Sequence, residues 1–150
     1  MAPLPYFAYG SNMSSAQMAE RCPGATAQGP ARLTGYRLAF DKWSERRGGR
    51  VADIVVSAGD ELWGVLWVVS EAHLVALDRH EGVARGQYRR FVVGVETLTG
   101  DPAQAFAYVI CEPAGEGPTT AGYRALLLEG AREHGIPAGY VRIIESVAVA

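Results

Sequence analysis

Tyr9-Gly10-Ser11-Asn12 is the first place in this sequence where chemistry is concentrated. An aromatic, strand-like run from Pro5 to Tyr9 ends in Gly10, and a capped helix follows at once. Such a turn lays consecutive backbone N–H groups beside the positive end of a helix, which suits a phosphate or a carboxylate. Gly10 lets a ligand approach the backbone closely, and Ser11 and Asn12 bring side-chain donors. Such turns are common, and on local physics alone the pattern favours a purely structural role, with Asn12 and Ser14 shaping the turn and capping the helix. The run is neither a Walker loop, which needs Gly-Lys-Ser/Thr, nor a GxGxxG fingerprint.

The second concentration is Leu77-Asp78-Arg79-His80-Glu81-Gly82-Val83. Glu81 falls at the end of a helical stretch, where the dipole disfavours an anion. In a dry site both effects lift a carboxyl above its usual value of about 4.3, which is what an acid–base group working near neutral pH requires. A solvated last-turn glutamate is the other reading, and Asp78 and His80 compete for the role. Tyr88 and Tyr123 add phenols able to hydrogen-bond a polar ligand or simply to pack. Arg46, Arg47 and Arg50 form either a solvated face or a screen for acidic substrates. His73, His80 and His134 lack metal-ligand spacing, and Cys22 and Cys111 have no CxxC neighbour, so no metal is expected and both thiols are expected free and buried.

The elements that must hold these residues follow from local pattern. Ser14 and Gln17 form a capping box for a helix to about Arg21, which Pro23-Gly24 ends. Leu33–Asp41 alternates as a strand, Trp43–Gly49 is a polar loop, and Val51–Ser57 and Glu61–Val69 are strands folded into a hairpin at Gly59-Asp60. Glu71–His80 is helical, with Gly82 as its stop. Gln87–Thr97 and Ala103–Ile110 are strands joined at Gly100-Asp101-Pro102. Thr119 or Thr120 caps a helix through about His134, and Pro137 starts a last helix or extended arm. The order β-α-β-β-β-α-β-β-α-α is mixed, not the alternation of a doubly wound sheet.

Composition narrows the class. The chain has 150 residues, 14 Lys+Arg, 16 Asp+Glu and 49% hydrophobic residues. That suits one globular domain over 1–150, able to bury roughly 68–70% of its unfolded surface. A net charge of −2 argues against nucleic acid or an anionic membrane surface as partner. Met1–Pro5 has no basic leader, and the longest apolar run, Leu62–Val69, is too short to span a bilayer, so a cytoplasmic protein is expected.

Taken together, PYFAYGSNM, ELWGVLWVV, LDRHEGV and the QY that follows resemble the γ-glutamylcyclotransferase family. The resemblance runs from about Tyr6 into the terminal helix, through Tyr123 and GAREHGIP, with Met13 in place of the commoner Leu. It implies a mixed α/β (α+β) fold, a small barrel-like sheet with flanking helices and a pocket at its mouth. It implies that Tyr9, Gly10, Ser11 and Asn12 hold the glutamyl α-carboxylate and α-amino group. Glu81 becomes the acid–base residue, and Tyr88 and Tyr123 match two substrate-binding tyrosines. The implied reaction cleaves a γ-glutamyl amide by intramolecular cyclisation, releasing 5-oxoproline and an amine or amino acid without cofactor or metal. The partner is then a small γ-glutamyl substrate, and a homodimer is implied. Two alternatives share the fold. One is an enzyme acting on a γ-glutamyl amine, such as an isopeptide or a γ-glutamyl-protected biosynthetic intermediate. The other is a non-catalytic ligand-binding or dimerisation module. The glutathione-degrading branch is patterned differently and longer. The Trp43–Gly49 loop is shorter than in well-known animal members, which bears on the leaving group.

Overall fold

A computed structural model of the chain describes residues 3–150; Met1 and Ala2, and the part of the leader reading that rests on them, lie outside the described residues. Five strands close into a barrel in the order β1-β3-β2-β4-β5. They are β1 (Tyr6–Ala8), β2 (Thr26–Ser44), β3 (Gly49–Val68), β4 (Tyr88–Thr97) and β5 (Pro102–Ile110). Every pairing is antiparallel except β1 with β5, where Tyr6 meets Phe106 in parallel. Four helices flank the barrel: α1 (Ser15–Arg21), α2 (Glu71–His80), α3 (Ala121–Glu133) and α4 (Ala138–Glu145). No helix among the described residues is long and apolar enough to cross a membrane.

Leu62–Trp67 is buried without a break, as expected of a strand covered on both faces. Leu127, Ala131 and Ile144 of the C-terminal helices are fully buried beside Met13 and Met18 in the same core. Gly130 is what lets α3 seat there. A Cβ at that position would lie 2.5 Å from the Met13 carbonyl carbon, so only glycine admits the turn that carries Ser11 and Asn12.

The sequence reading of the β2–β3 region needs correction. Gly59-Asp60 is not a reversal, and β3 runs straight through it. Thr34 pairs with Glu61 and Tyr36 with Val56, so Ser57–Asp60 bulge out opposite Gly35. The positive φ of Gly59, 84°, serves a bulge as readily as a turn, and both halves of β3 share one long partner. The true hairpin lies inside the expected Trp43–Gly49 loop. Trp43 and Ser44 end β2, Gly49 opens β3, and the Gly48 amide donates to the Ser44 carbonyl at 2.8 Å. The described residues therefore form one strand fewer than expected.

Two smaller expectations also change. Ser14 caps α1, accepting from the Gln17 amide at 3.3 Å, but the Gln17 side chain does not complete a box. A full capping box occurs instead on α2, between Ser70 and His73. Cys22 and Cys111 are both free, yet only Cys22 is buried. Pro137, left open as helix or arm, precedes a helix.

Candidate active site

The topology fixes where a site can form. β1, β2 and β5 end, and β3 and β4 begin, at the same end of the barrel. There a cavity of about 570 Å³ opens, and all seven residues singled out in the sequence line it: Tyr9, Gly10, Ser11, Asn12, Glu81, Tyr88 and Tyr123. Its size is that of a small-ligand pocket.

Gly10 leads into a single 3₁₀ turn, Ser11–Met13. Within it the Met13 and Ser14 amides bond back to Gly10 and Ser11 at 3.1 Å each. The Ser11 and Asn12 amides have no backbone partner among the described residues, so they are the turn's spare donors. The Asn12 side chain is not spare. Its Nδ2 donates to Tyr6 Oη at 3.1 Å, and its Oδ1 accepts from Gln17 at 2.7 Å and Arg21 at 3.2 Å. Gln17 also donates to Ser11 Oγ at 2.6 Å and accepts from Arg47 at 2.9 Å. One α1 side chain thus ties the turn to the β2–β3 hairpin.

Glu81 is the C-cap of α2, and Gly82 follows at a φ of 65°. It is this left-handed φ that favours glycine; a side chain there would also have to displace the end of Gln87. Burial lifts the Glu81 carboxyl from 4.5 to about 7, against the opposing pull of Arg21, Arg47 and Arg46. Asp78 is engaged elsewhere. It accepts from Tyr108 Oη at 2.6 Å and pairs with Arg90 at 3.0 Å. His80 is exposed at the pocket edge, and its pKa is lowered by partial burial and by Arg21, Arg79 and Arg46.

The phenols divide by what their hydroxyls already do. Tyr9 donates to the Tyr108 carbonyl at 2.6 Å, and Tyr88 to the Ala52 carbonyl at 2.9 Å. Tyr123 instead accepts, from the Ala52 amide at 3.2 Å, which leaves its own hydrogen for Ser11 or for a ligand. Burial pushes all three pKa values up, so the hydroxyls stay protonated. Behind this wall Asp53 accepts from the Ile110 amide at 3.0 Å; burial first, and Asp41 also, raise it to about 7.

Of the three hairpin arginines, Arg46 and Arg47 line the cavity and Arg50 does not. Arg50 turns away to the Gly115 carbonyl at 3.3 Å. Arg47 lies 5.2 Å from the Tyr123 ring centroid. Sequence reasoning missed Tyr6, Tyr108, Arg21, Lys42, Arg85 and Ala52, all on the cavity wall. Arg21 alone carried a signal, since it falls one turn past Gln17 on α1's loop-facing side. Among the described residues no three His, Cys, Asp or Glu side chains are grouped to hold a metal.

Comparison with known proteins places this geometry. Residues 61–144 match the AIG2-like family. The chain is 35% identical to the γ-glutamylcyclotransferase of Bos taurus over 146 residues, 95% of this chain and 77% of that one. The Homo sapiens γ-glutamylcyclotransferase is 34% identical over the same shares. A solved γ-glutamyl cyclotransferase superposes with a TM-score of 0.93 at 32% identity, covering 98% of this chain and 89% of the other. This chain belongs to the γ-glutamylcyclotransferase family.

Proposed function

We propose that the enzyme cleaves a γ-glutamyl amide by intramolecular cyclisation, forming 5-oxoproline and releasing an amine or amino acid. The carrying observation is that the raised carboxyl of Glu81 and the spare amides of Ser11 and Asn12 line one cavity. The amides take the substrate α-carboxylate, and that anchor folds the γ-carbonyl back toward the α-amine. Attack is then intramolecular, so orientation supplies much of the rate. Ionised Glu81 removes a proton from the α-amine as the new C–N bond forms. The tetrahedral oxyanion is met by the Tyr123 hydroxyl hydrogen. Protonated Glu81 then returns the proton to the leaving nitrogen, and the old C–N bond breaks. A carboxyl near 7 suits both halves, because it is neither too weak a base nor too weak an acid at neutral pH.

Glu81, Tyr9, Gly10, Ser11, Asn12, Tyr88 and Tyr123 take these roles on the strength of their shared cavity. Tyr9 and Tyr88 act as wall, through ring and oxygen, since their hydroxyl hydrogens are committed to backbone carbonyls. The reading extends to a single cytoplasmic domain, on length and the lack of a long apolar run, and to a homodimer without cofactor, on the family resemblance. The test is mass-spectrometric detection of 5-oxoproline from a panel of γ-glutamyl compounds, with α-glutamyl isomers as controls. Only γ-linked substrates should yield it, since an α-amide is misplaced for lactam closure. Comparable turnover of the α-isomers overturns the mechanism.

A further inference from the structure

Charge is distributed unevenly over this chain. Its net charge is −2, yet the cavity is lined by Arg21, Lys42, Arg46, Arg47 and Arg85 against only Glu45 and Glu81. With the Glu81 carboxyl near 7, part of the enzyme carries it neutral, and the imbalance deepens.

None of these five cations forms an ion pair among the described residues, whereas Arg32, Arg37, Arg90 and Arg132, outside the cavity, all do. Arg21 and Arg47 are held by neutral partners, Asn12 and Gln17. Arg46 and Arg85 are exposed, and their guanidinium groups have no hydrogen-bond partner among the described residues. They come from separate elements, the β2–β3 turn and the short turn after Gly82. Arg46 also acts on His80, whose proton is opposed first by burial and then by Arg21, Arg79 and Arg46.

A γ-glutamyl amino acid with a neutral side chain brings two carboxylates and one α-ammonium, a net charge of −1, which leaves most of the five cations unanswered. Arg46 and Arg85 line the cavity yet are exposed, so they stand at its open side, away from the buried Asn12.

Resting on the cyclotransferase reading above, we propose that the leaving group is a dicarboxylic amino acid, with Arg46 and Arg85 as the residues that select its side-chain carboxylate. γ-Glutamyl-glutamate and γ-glutamyl-glutamine are near-isosteres that differ by that one charge. Exposed ion pairs are individually weak, so two of them give a preference of about 3- to 30-fold rather than an absolute requirement. Screening by salt weakens such exposed pairs.

The full chain is assayed for 5-oxoproline release from both dipeptides, at low and high ionic strength, as wild type and as an Arg46→Gln/Arg85→Gln double variant. The expected result is a higher kcat/KM for γ-glutamyl-glutamate in the wild type at low salt. The ratio should fall toward one in high salt and in the double variant. A wild-type ratio of one or less, or a preference that survives both salt and the double substitution, overturns the assignment. Turnover of γ-glutamyl-glutamine separates the two levels of failure. If it is turned over without discrimination, the activity stands and the selectivity is wrong. If neither dipeptide nor any other γ-glutamyl compound gives 5-oxoproline, the activity itself is wrong and this inference goes with it.

Discussion

Tyr123 Oη accepts a hydrogen bond from the Ala52 amide at 3.2 Å, and this acceptance is what frees the phenol's own hydrogen for the cavity. Tyr88, bonded to the same residue's carbonyl at 2.9 Å, is turned the other way and has no hydrogen to give. Two tyrosines bonded to the backbone of one residue thereby have opposite chemistry. Tyr123→Phe should lower kcat by about 10²-fold, the order seen when an oxyanion donor is lost. It should also cost about 1–3 kcal/mol of stability, because the buried Ala52 amide loses its partner. Tyr88→Phe should leave kcat far less affected. Steady-state kinetics on both variants checks this, and equal losses would refute the division.

Glu81→Gln keeps the shape of the site and removes the titration. The rate of 5-oxoproline formation should fall by about 10²–10⁴-fold with the fold intact. Full activity in a folded Glu81→Gln protein would move the role elsewhere.

The same substitution has a signed effect on stability. Unfolded, Glu81 ionises near 4.5; folded, at about 7. Between those values the unfolded chain has released a proton that the folded chain retains, so wild-type stability falls as pH rises through this window. Glutamine never ionises. The variant should therefore match the wild type near pH 4 and exceed it above pH 7, by on the order of 3 kcal/mol at most. Thermal melts across pH provide the check, and a constant difference at every pH would contradict it.

In the wild type, kcat/KM should rise with pH through about 7, as Glu81 becomes the ionised base. Arg21 is the largest of the charges holding that carboxyl down. Arg21→Gln can still donate to Asn12 Oδ1 but no longer opposes burial, so the rising limb should shift to higher pH. A shift to lower pH would contradict the electrostatic account.

Gly10 is held to glycine by proximity. A Cβ there would sit 3.3 Å from both the Ala52 side chain and the Tyr123 hydroxyl. Gly10→Ala should raise KM for γ-glutamyl substrates more than it lowers Tm, since it intrudes on the head-group pocket and not on the core. In crystals soaked with 5-oxoproline, the carboxylate should lie within hydrogen-bond reach of the Ser11 and Asn12 amides. A carboxylate seated on Arg46 instead would place the head group wrongly.

The groups now proposed to do chemistry were visible in the sequence because each sits in a local pattern. Glu81 precedes the glycine that stops its helix, and Ser11 and Asn12 occupy a turn between strand and cap. The groups that support them were not visible, because closure of the barrel makes their partnerships. Tyr9 bonds a carbonyl at Tyr108, and Ala52 is gripped by tyrosines from β4 and α3. Gln17 read as half of a capping box because the spacing was right; the hairpin that carries Arg47 competes for the same amide. Arg50 was grouped with Arg46 and Arg47 by proximity in sequence, but the hairpin reverses between them and sends Arg50 to the opposite side. The false turn at Gly59-Asp60 came from a signal that a bulge shares with a reversal.

The parallel seam between β1 and β5 sets an order of events during synthesis. Tyr6 is synthesised well ahead of its hydrogen-bonding neighbours in the barrel, which lie around Trp67 on one side and Phe106 on the other. The β2–β3 ribbon can assemble from adjacent segments while the chain is still growing. The short segment that leads into the Gly10–Asn12 turn can pair with β3 once Trp67 is made, but its other edge stays open until Phe106 follows. Catalytic competence is therefore a late acquisition of the nascent chain. A product truncated before β5 would leave the outer edge of β1 open beside β3, a site for chaperones rather than a slower enzyme.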